Sequence, residues 1–121
     1  SLGTPWPFTP RAGYVLFLDE VGERPYRLDR MLVHARQAGL FERASAVIVG
    51  QLPTCDEPNG TIAGRSVVAD ALADFRGPVL FGFPSGHTTT SLVTLPFGVH
   101  TRVIAGATPM VDIEESGAIG Q

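Results

Sequence analysis

The feature that most constrains this fold is the alternation of short apolar runs with an amphipathic segment of helical period. The apolar runs are rich in bulky and β-branched side chains and end at polar residues, as buried strands do. They occupy residues 14–18, 46–50 and 79–83. A strand, a helix and a second strand in close succession predict parallel pairing through a βαβ unit.

The first helix is predicted from its start signal, its apolar stripe and its stop signal. Pro25 suits the first turn, Leu28, Leu32 and Ala35 recur on one face, and Gly39 ends the segment. A second helix is predicted around residues 61–75, capped by Thr61 or a neighbouring residue. Its apolar face consists of Val68, Ala71, Leu72 and Phe75.

Three further apolar segments follow the last parallel strand and are separated by Gly- and Pro-containing turns. They span residues 92–95, 99–104 and 110–113. We expect them to be antiparallel strands that complete a mixed sheet. The predicted fold class is therefore α/β: a small mixed sheet with βαβ units, followed by antiparallel strands.

Size and charge exclude several classes of protein. A chain of 121 residues with a formal charge of −3 is sized for one domain, and its charges are not clustered, which argues against a nucleic-acid partner. The longest apolar run has five residues, so neither a membrane span nor a retained signal peptide is expected. All nine basic residues are arginines, which excludes a lysine base, a Schiff-base lysine and a phosphate-loop lysine.

Cysteine usage limits metal chemistry and suggests a compartment. Cys55 is the single cysteine, so the chain has neither an internal disulfide nor a Cys–Cys pair of zinc-ligand spacing. We expect no metal and no cofactor. A reducing, cytoplasmic compartment is favoured over secretion.

Candidate catalytic groups follow two of the predicted parallel strands. Asp19 and Glu20 come directly after the first strand, and His87 follows the third. Side chains at these strand ends meet at one edge of the sheet, where a carboxylate could orient a histidine that acts as a base for a nucleophile. Equally, the carboxylates could cap a turn and His87 could be a solvated loop residue.

No nucleophile of the expected kind accompanies this pair. Ser85 lacks the Gly-x-Ser-x-Gly elbow and is interpreted as a turn residue. Cys55 stands beside Asp56 and Glu57, whose charges disfavour a thiolate. His34 and His100 are interpreted as structural or solvated. The sequence therefore contains no complete triad.

Several motifs together resemble one family across nearly the whole chain. They are GTPW at residues 3–6, LFLDEVGERPYRLDRML at 16–32, GH at 86–87 and TLPFG at 94–98. In order and spacing they resemble the C-terminal domain of the LD-carboxypeptidases, a family of serine peptidases. The resemblance implies a hydrolase that removes the terminal D-alanine from murein tetrapeptide during cytoplasmic peptidoglycan recycling.

The resemblance also implies roles for individual residues. His87 matches the family's catalytic histidine, and the family's orienting glutamate falls on Asp19, with Glu20 on the aspartate beside it. Adjacent strand residues point to opposite faces, so only one of the two carboxylates can serve. Asp19 is favoured and Glu20 is the substitute. Trp6, in the segment before the domain, is a candidate substrate-binding residue.

The family's nucleophilic serine lies in an N-terminal domain that this sequence does not include. The resemblance thus divides the chain into an interdomain linker, residues 1–13, and a C-terminal catalytic-histidine domain, residues 14–121. It implies a murein peptide substrate and the nucleophile domain as partners, and the exposed docking surface suggests a homodimer. The alternative is a non-catalytic α/β module for binding or assembly on the same scaffold, since Asp19 departs from the family's glutamate.

Overall fold

The computed structural model describes residues 2–117, so residue 1 and residues 118–121 of the predicted linker and domain lie outside it. A parallel sheet with strand order β1-β2-β3 forms its centre. Its strands are β1 (Tyr14–Leu18), β2 (Ala44–Val49) and β3 (Val79–Phe81). The helices between them are α1 (Pro25–Gln37) and α2 (Gly64–Ala71). This arrangement confirms the predicted βαβ units.

Helix α1 begins and ends where the sequence predicts. Pro25 occupies its first turn, where a missing backbone N–H costs nothing, and Leu28 and Leu32 are buried. Beyond its end Gly39 has φ +73°, a conformation that a residue without Cβ adopts readily. The apolar stripe and the stop signal were therefore interpreted correctly.

Helix α2 begins later than predicted, at Gly64. The N-cap residue is Ala63, and Asp56 takes the capping role, accepting a hydrogen bond from the Gly64 N–H at 2.8 Å. The prediction that Thr61 caps this helix is wrong, although a neighbouring residue was allowed. Thr61 instead donates its N–H and hydroxyl to the Asn59 side chain, because an Asx turn competes with the cap.

The parallel sheet is covered on both faces, as parallel sheets require. Leu16, Val47 and Val49 pack against the two helices in the main apolar cluster. On the opposite face Ile48 is buried and lines a groove that includes Phe17 and Phe97. The rings of Phe17 and Phe97 lie 6.4 Å apart, so the chain after β3 returns beneath the sheet.

The remaining strands form a separate two-stranded antiparallel sheet. They are β4 (Thr101–Ile104) and β5 (Met110–Ile113). The α/β class with antiparallel strands at the end is confirmed, but the expectation that they extend one mixed sheet is wrong. Residues 92–95 are not a strand, because this segment crosses the loop after β3, where the Val93 N–H donates to the Pro84 carbonyl.

Membrane spanning can be assessed for the described residues. Within 2–117 neither helix is long and apolar enough to cross a bilayer.

Candidate active site

The carboxyl ends of β1 and β3 bring Asp19 and His87 into contact. Asp19 directly follows β1, and His87 lies six residues after Phe81, the last residue of β3. Asp19 Oδ2 is 2.8 Å from His87 Nδ1 and accepts the backbone N–H of the same histidine at 3.0 Å. Two hydrogen bonds therefore join two residues that are 68 positions apart in the chain, as expected from strand ends that share an edge of the sheet.

The two side chains of the pair differ in their exposure to solvent. The Asp19 side chain is 14% exposed, whereas that of His87 is 58% exposed. A carboxylate can only accept hydrogen bonds, so its contact assigns the proton of a neutral imidazole to Nδ1. Nε2 is then a free acceptor, and no hydrogen bond to it occurs within residues 2–117. The geometry suits a base that takes up a proton from outside.

Two glycines allow the loop and the middle strand to approach the Asp19 carboxylate. A Cβ on Gly86 would overlap this carboxylate, and a Cβ on Gly50 would lie 2.7 Å from Asp19 Oδ1. Gly86 also has φ +69°, which disfavours any side chain. Oδ1 is buried and has no hydrogen-bond partner among the described residues. Asp19 is thus enclosed and directed toward His87 through Oδ2 alone.

Glu20 does not contact His87. Its Oε1 accepts the N–H of the next residue, Val21, at 2.9 Å, within the turn after β1. Successive residues at the end of a strand project to opposite sides of the sheet. For this reason only one of the two carboxylates was expected to reach His87. Between the two carboxylates considered, it is Asp19 that reaches the histidine.

Gln51, which was not predicted as a site residue, connects the end of the middle strand to the histidine loop. Its Oε1 accepts the Thr89 N–H at 2.8 Å and the Thr89 hydroxyl at 3.1 Å. Its Nε2 donates to Thr90 Oγ1 at 2.8 Å. The available signal was its position: Gln51 is the first polar residue after β2, which places it at the same sheet edge as Asp19 and His87.

The structure places the two alternative nucleophiles in buried positions, and for Cys55 burial rather than the predicted charges of Asp56 and Glu57 is the main effect. Ser85 is buried in a turn, with its N–H donated to the Phe83 carbonyl at 2.9 Å. Cys55 is buried, and burial raises the pKa of its thiol, with Glu20 and Asp56 adding to the shift. A thiol held protonated is a weak nucleophile.

Trp6 lies in the irregular segment before β1 and is 80% exposed. Neither a hydrogen bond nor a ring contact joins it to Asp19 or His87. Its role in substrate binding stays a prediction. In the described part of the chain, no three His, Cys, Asp or Glu side chains are grouped closely enough to hold a metal ion.

Comparisons with known proteins identify the family of the chain. Residues 1–103 match the family described as the LD-carboxypeptidase C-terminal domain. A Streptomyces coelicolor protein named as a carboxypeptidase is 37% identical over 105 residues, which are 87% of this chain and 33% of that protein. A Bacillus subtilis protein named as a murein peptide carboxypeptidase is 30% identical over 100 residues, covering 81% of this chain and 31% of that protein.

A solved structure extends the agreement to three dimensions. The muramoyltetrapeptide carboxypeptidase of Oxalobacter formigenes superposes with a TM-score of 0.77 and 28% identity, covering 94% of this chain and 40% of that one. The chain spans about a third of the length of the curated relatives it matches. On the family match and the shared fold, the chain belongs to the LD-carboxypeptidases, of which it represents the C-terminal domain.

Proposed function

We propose that this chain supplies the histidine and its orienting carboxylate to a serine-type LD-carboxypeptidase that releases the terminal D-alanine of murein tetrapeptide. The Asp19–His87 pair carries the proposal, because its contacts leave Nε2 exposed as a proton acceptor. Relatives named for murein peptide and muramoyltetrapeptide substrates support the choice of substrate. The cellular role is peptidoglycan recycling in the cytoplasm.

The proposed reaction is an acyl transfer in two stages. A serine hydroxyl transfers its proton to His87 Nε2 while its oxygen attacks the carbonyl carbon of the bond to D-alanine. The tetrahedral intermediate collapses when Nε2 returns that proton to the leaving nitrogen, so that D-alanine departs and an acyl-serine remains. Water then repeats the sequence and frees the serine. Throughout, Asp19 holds Nδ1–H and stabilises the imidazolium.

The serine comes from an N-terminal nucleophile domain in this proposal. Ser85 is buried in its turn and does not meet the geometry of an attacking hydroxyl. The curated relatives are about three times as long as the matched region, which leaves room for such a domain. This chain on its own is then expected to be inactive, because a base without its nucleophile loses nearly all of the rate.

Exposed apolar side chains support a docking surface for that domain. Phe8 and Phe97 are exposed and line one groove, and Leu92 and Trp6 are also exposed. When the nucleophile domain is absent, this apolar surface is exposed to solvent and favours self-association, and we propose a homodimer. Sedimentation of the chain with and without the nucleophile domain tests this, since a monomer at high concentration contradicts the dimer.

The test follows D-alanine release from murein tetrapeptide by the chain joined to its nucleophile domain. His87→Ala and Asp19→Asn are expected to lower kcat by about 10⁴-fold, because one removes the base and the other its orienting charge. Glu20→Gln is the matched control and should retain activity, since Glu20 bonds only within its own turn.

Two outcomes would contradict the proposal. An unchanged rate for His87→Ala excludes a catalytic base at this position and makes a non-catalytic binding or assembly module the better interpretation. A large loss in Glu20→Gln with activity retained in Asp19→Asn would transfer the orienting role to Glu20. Circular dichroism of each variant separates a loss of chemistry from a loss of fold.

A further inference from the structure

The histidine loop, residues 85–92, is ordered by few packing contacts. Gly86 and His87 are exposed, and so are Thr89 and Thr90. The base of the loop is closed where the Val93 N–H donates to the Pro84 carbonyl at 2.7 Å. Burial therefore does little to fix the central part of the loop, so side-chain hydrogen bonds have to set the position of the His87 ring.

Among residues 2–117, two segments at the sheet edge bind this part of the loop through their side chains. Asp19 binds His87 itself, and Gln51 binds the residues two and three positions further on. The three Gln51 bonds use both ends of its amide: the carbonyl accepts from Thr89, and the amino group donates to Thr90. A side chain that makes hydrogen bonds to three polar groups of one loop restrains the position of that loop relative to the sheet.

The residue before Gln51 contacts the other member of the pair. Gly50 lies against Asp19 so closely that a Cβ there would be 2.7 Å from Oδ1, and its N–H donates to the Leu18 carbonyl at 2.8 Å. Gly50 and Gln51, which follow β2, thus lie against two different groups. Gly50 lies against the Asp19 carboxylate, and Gln51 binds the histidine loop.

We propose that Gln51 is a positioning residue for His87: its amide holds Thr89 and Thr90 so that Nδ1–H stays directed at Asp19 and Nε2 stays open. The catalytic consequence rests on the proposed function, but the effect on the ring does not. Gln51 touches neither a reacting atom nor the imidazole, so it acts through the loop alone. Supports of this kind are commonly required to hold a catalytic group in its productive geometry.

The first experiment reads the imidazole tautomer directly. Long-range ¹H–¹⁵N spectra of the 121-residue chain at about pH 8.5, where histidine side chains are ordinarily neutral, distinguish Nδ1–H from Nε2–H rings. The unsubstituted chain should show His87 as Nδ1–H. Gln51→Met keeps the length of the side chain but removes all three bonds, so we expect a mixture of tautomers. The rings of His34 and His100 serve as internal references.

Two further variants make this result specific. Gln51→Glu retains the acceptor for Thr89, and the Thr90 hydroxyl can rotate to donate to it, so the Nδ1–H form should be preserved. Gln37→Met makes the same substitution at an exposed position in the last turn of α1 and should change nothing. An unaltered tautomer in Gln51→Met would overturn the proposal. Equal disturbance by Gln51→Glu and Gln51→Met would overturn the hydrogen-bond explanation.

The second experiment measures hydrolysis by the chain joined to its nucleophile domain. If a misplaced base is the only defect, Gln51→Met should lower kcat by about 100-fold while KM changes by less than about twofold. Gln51→Glu should recover most of that loss. A disturbed tautomer with an unchanged kcat would support the positioning role and contradict the proposed function. An unchanged tautomer contradicts the positioning role whatever the rate.

Discussion

The two halves of this chain are stabilised differently, and the candidate site lies where they meet. Residues 14–83 hold the parallel sheet, both helices and the main apolar cluster. Residues 84–117 contain a small hairpin and a loop whose side chains are largely exposed. Asp19 belongs to the first half and is positioned by a strand. His87 belongs to the second and is positioned by hydrogen bonds.

On the proposed function, this contrast explains how His87 can be both exposed and ordered. A base must reach its substrate, so it cannot be buried in the apolar cluster. The buried half supplies fixed acceptors instead, one carboxylate and one amide, to which the exposed loop attaches. The following substitutions test whether the two halves are stabilised in these different ways.

Truncation of a large side chain should distinguish the halves most strongly. Ile48→Ala, at a position only 1% exposed, should lower the free energy of unfolding by about 3 kcal/mol, because it leaves a cavity in the sheet. Leu92→Ala, at a position 64% exposed, should cost less than about 0.5 kcal/mol. Urea titration of both variants measures this. Similar losses would show that the second half is as tightly packed as the first.

Alanine substitutions at Gly82 and Gly86 distinguish the cost of backbone strain from the cost of overlap with Asp19. Gly82 and Gly86 have φ +79° and +69°, so alanine at either position strains the backbone by about 1 kcal/mol. Only at Gly86 does the added Cβ also overlap Asp19, whereas nothing lies within 4 Å at Gly82. Gly86→Ala should therefore cost about 2 kcal/mol and break the Asp19–His87 contact. Equal stability losses, with both variants retaining the His87 Nδ1–H signal, would contradict this.

Replacing Asp19 with the longer glutamate tests how much space the site leaves around the carboxylate. Asp19→Glu adds one methylene to a side chain enclosed by Gly50 and Gly86, so we expect a loss of about 1.5 kcal/mol and a displaced histidine loop. Glu20→Asp, in the adjacent turn, should have little effect. Stability and the chemical shifts of Thr89 and Thr90 report the two consequences. A more stable Asp19→Glu variant would show that the site retains space for the family's glutamate.

The smallest effect concerns the buried thiol of the first half. Burial raises the pKa of Cys55, so unfolding at alkaline pH releases a proton that the folded chain retains. Stability conferred by this group is present below the unfolded thiol's pKa of 9.0 and falls as pH rises above it. The loss grows as pH rises further, until the folded thiol also ionises. Cys55→Ala should lack this component; an identical pH dependence in both chains would contradict it.

Local patterns in the sequence were sufficient to predict β1 and α1. The positions of β1 and α1 follow from an apolar run, a proline, an apolar stripe and a glycine, all of which act within a few residues. Strand and helix periods are local physical properties, so they can be inferred without knowing the tertiary structure. The candidate pair was also predictable, since parallel strand ends share an edge.

Long-range contacts decided the rest. The apolar segment at residues 92–95 has the composition of a strand, but within the described residues it has no strand partner, and β4 and β5 pair with each other there. Likewise, the position of Gln51 after β2 places it at the sheet edge, but it does not indicate that its amide binds a loop 38 residues away. The sequence was therefore enough to predict the parallel strands, the first helix and the candidate groups at the strand ends, with Asp19 favoured over Glu20. What holds the histidine loop, and how the last strands pair, became known from the tertiary structure, because both depend on distances between segments remote in the chain.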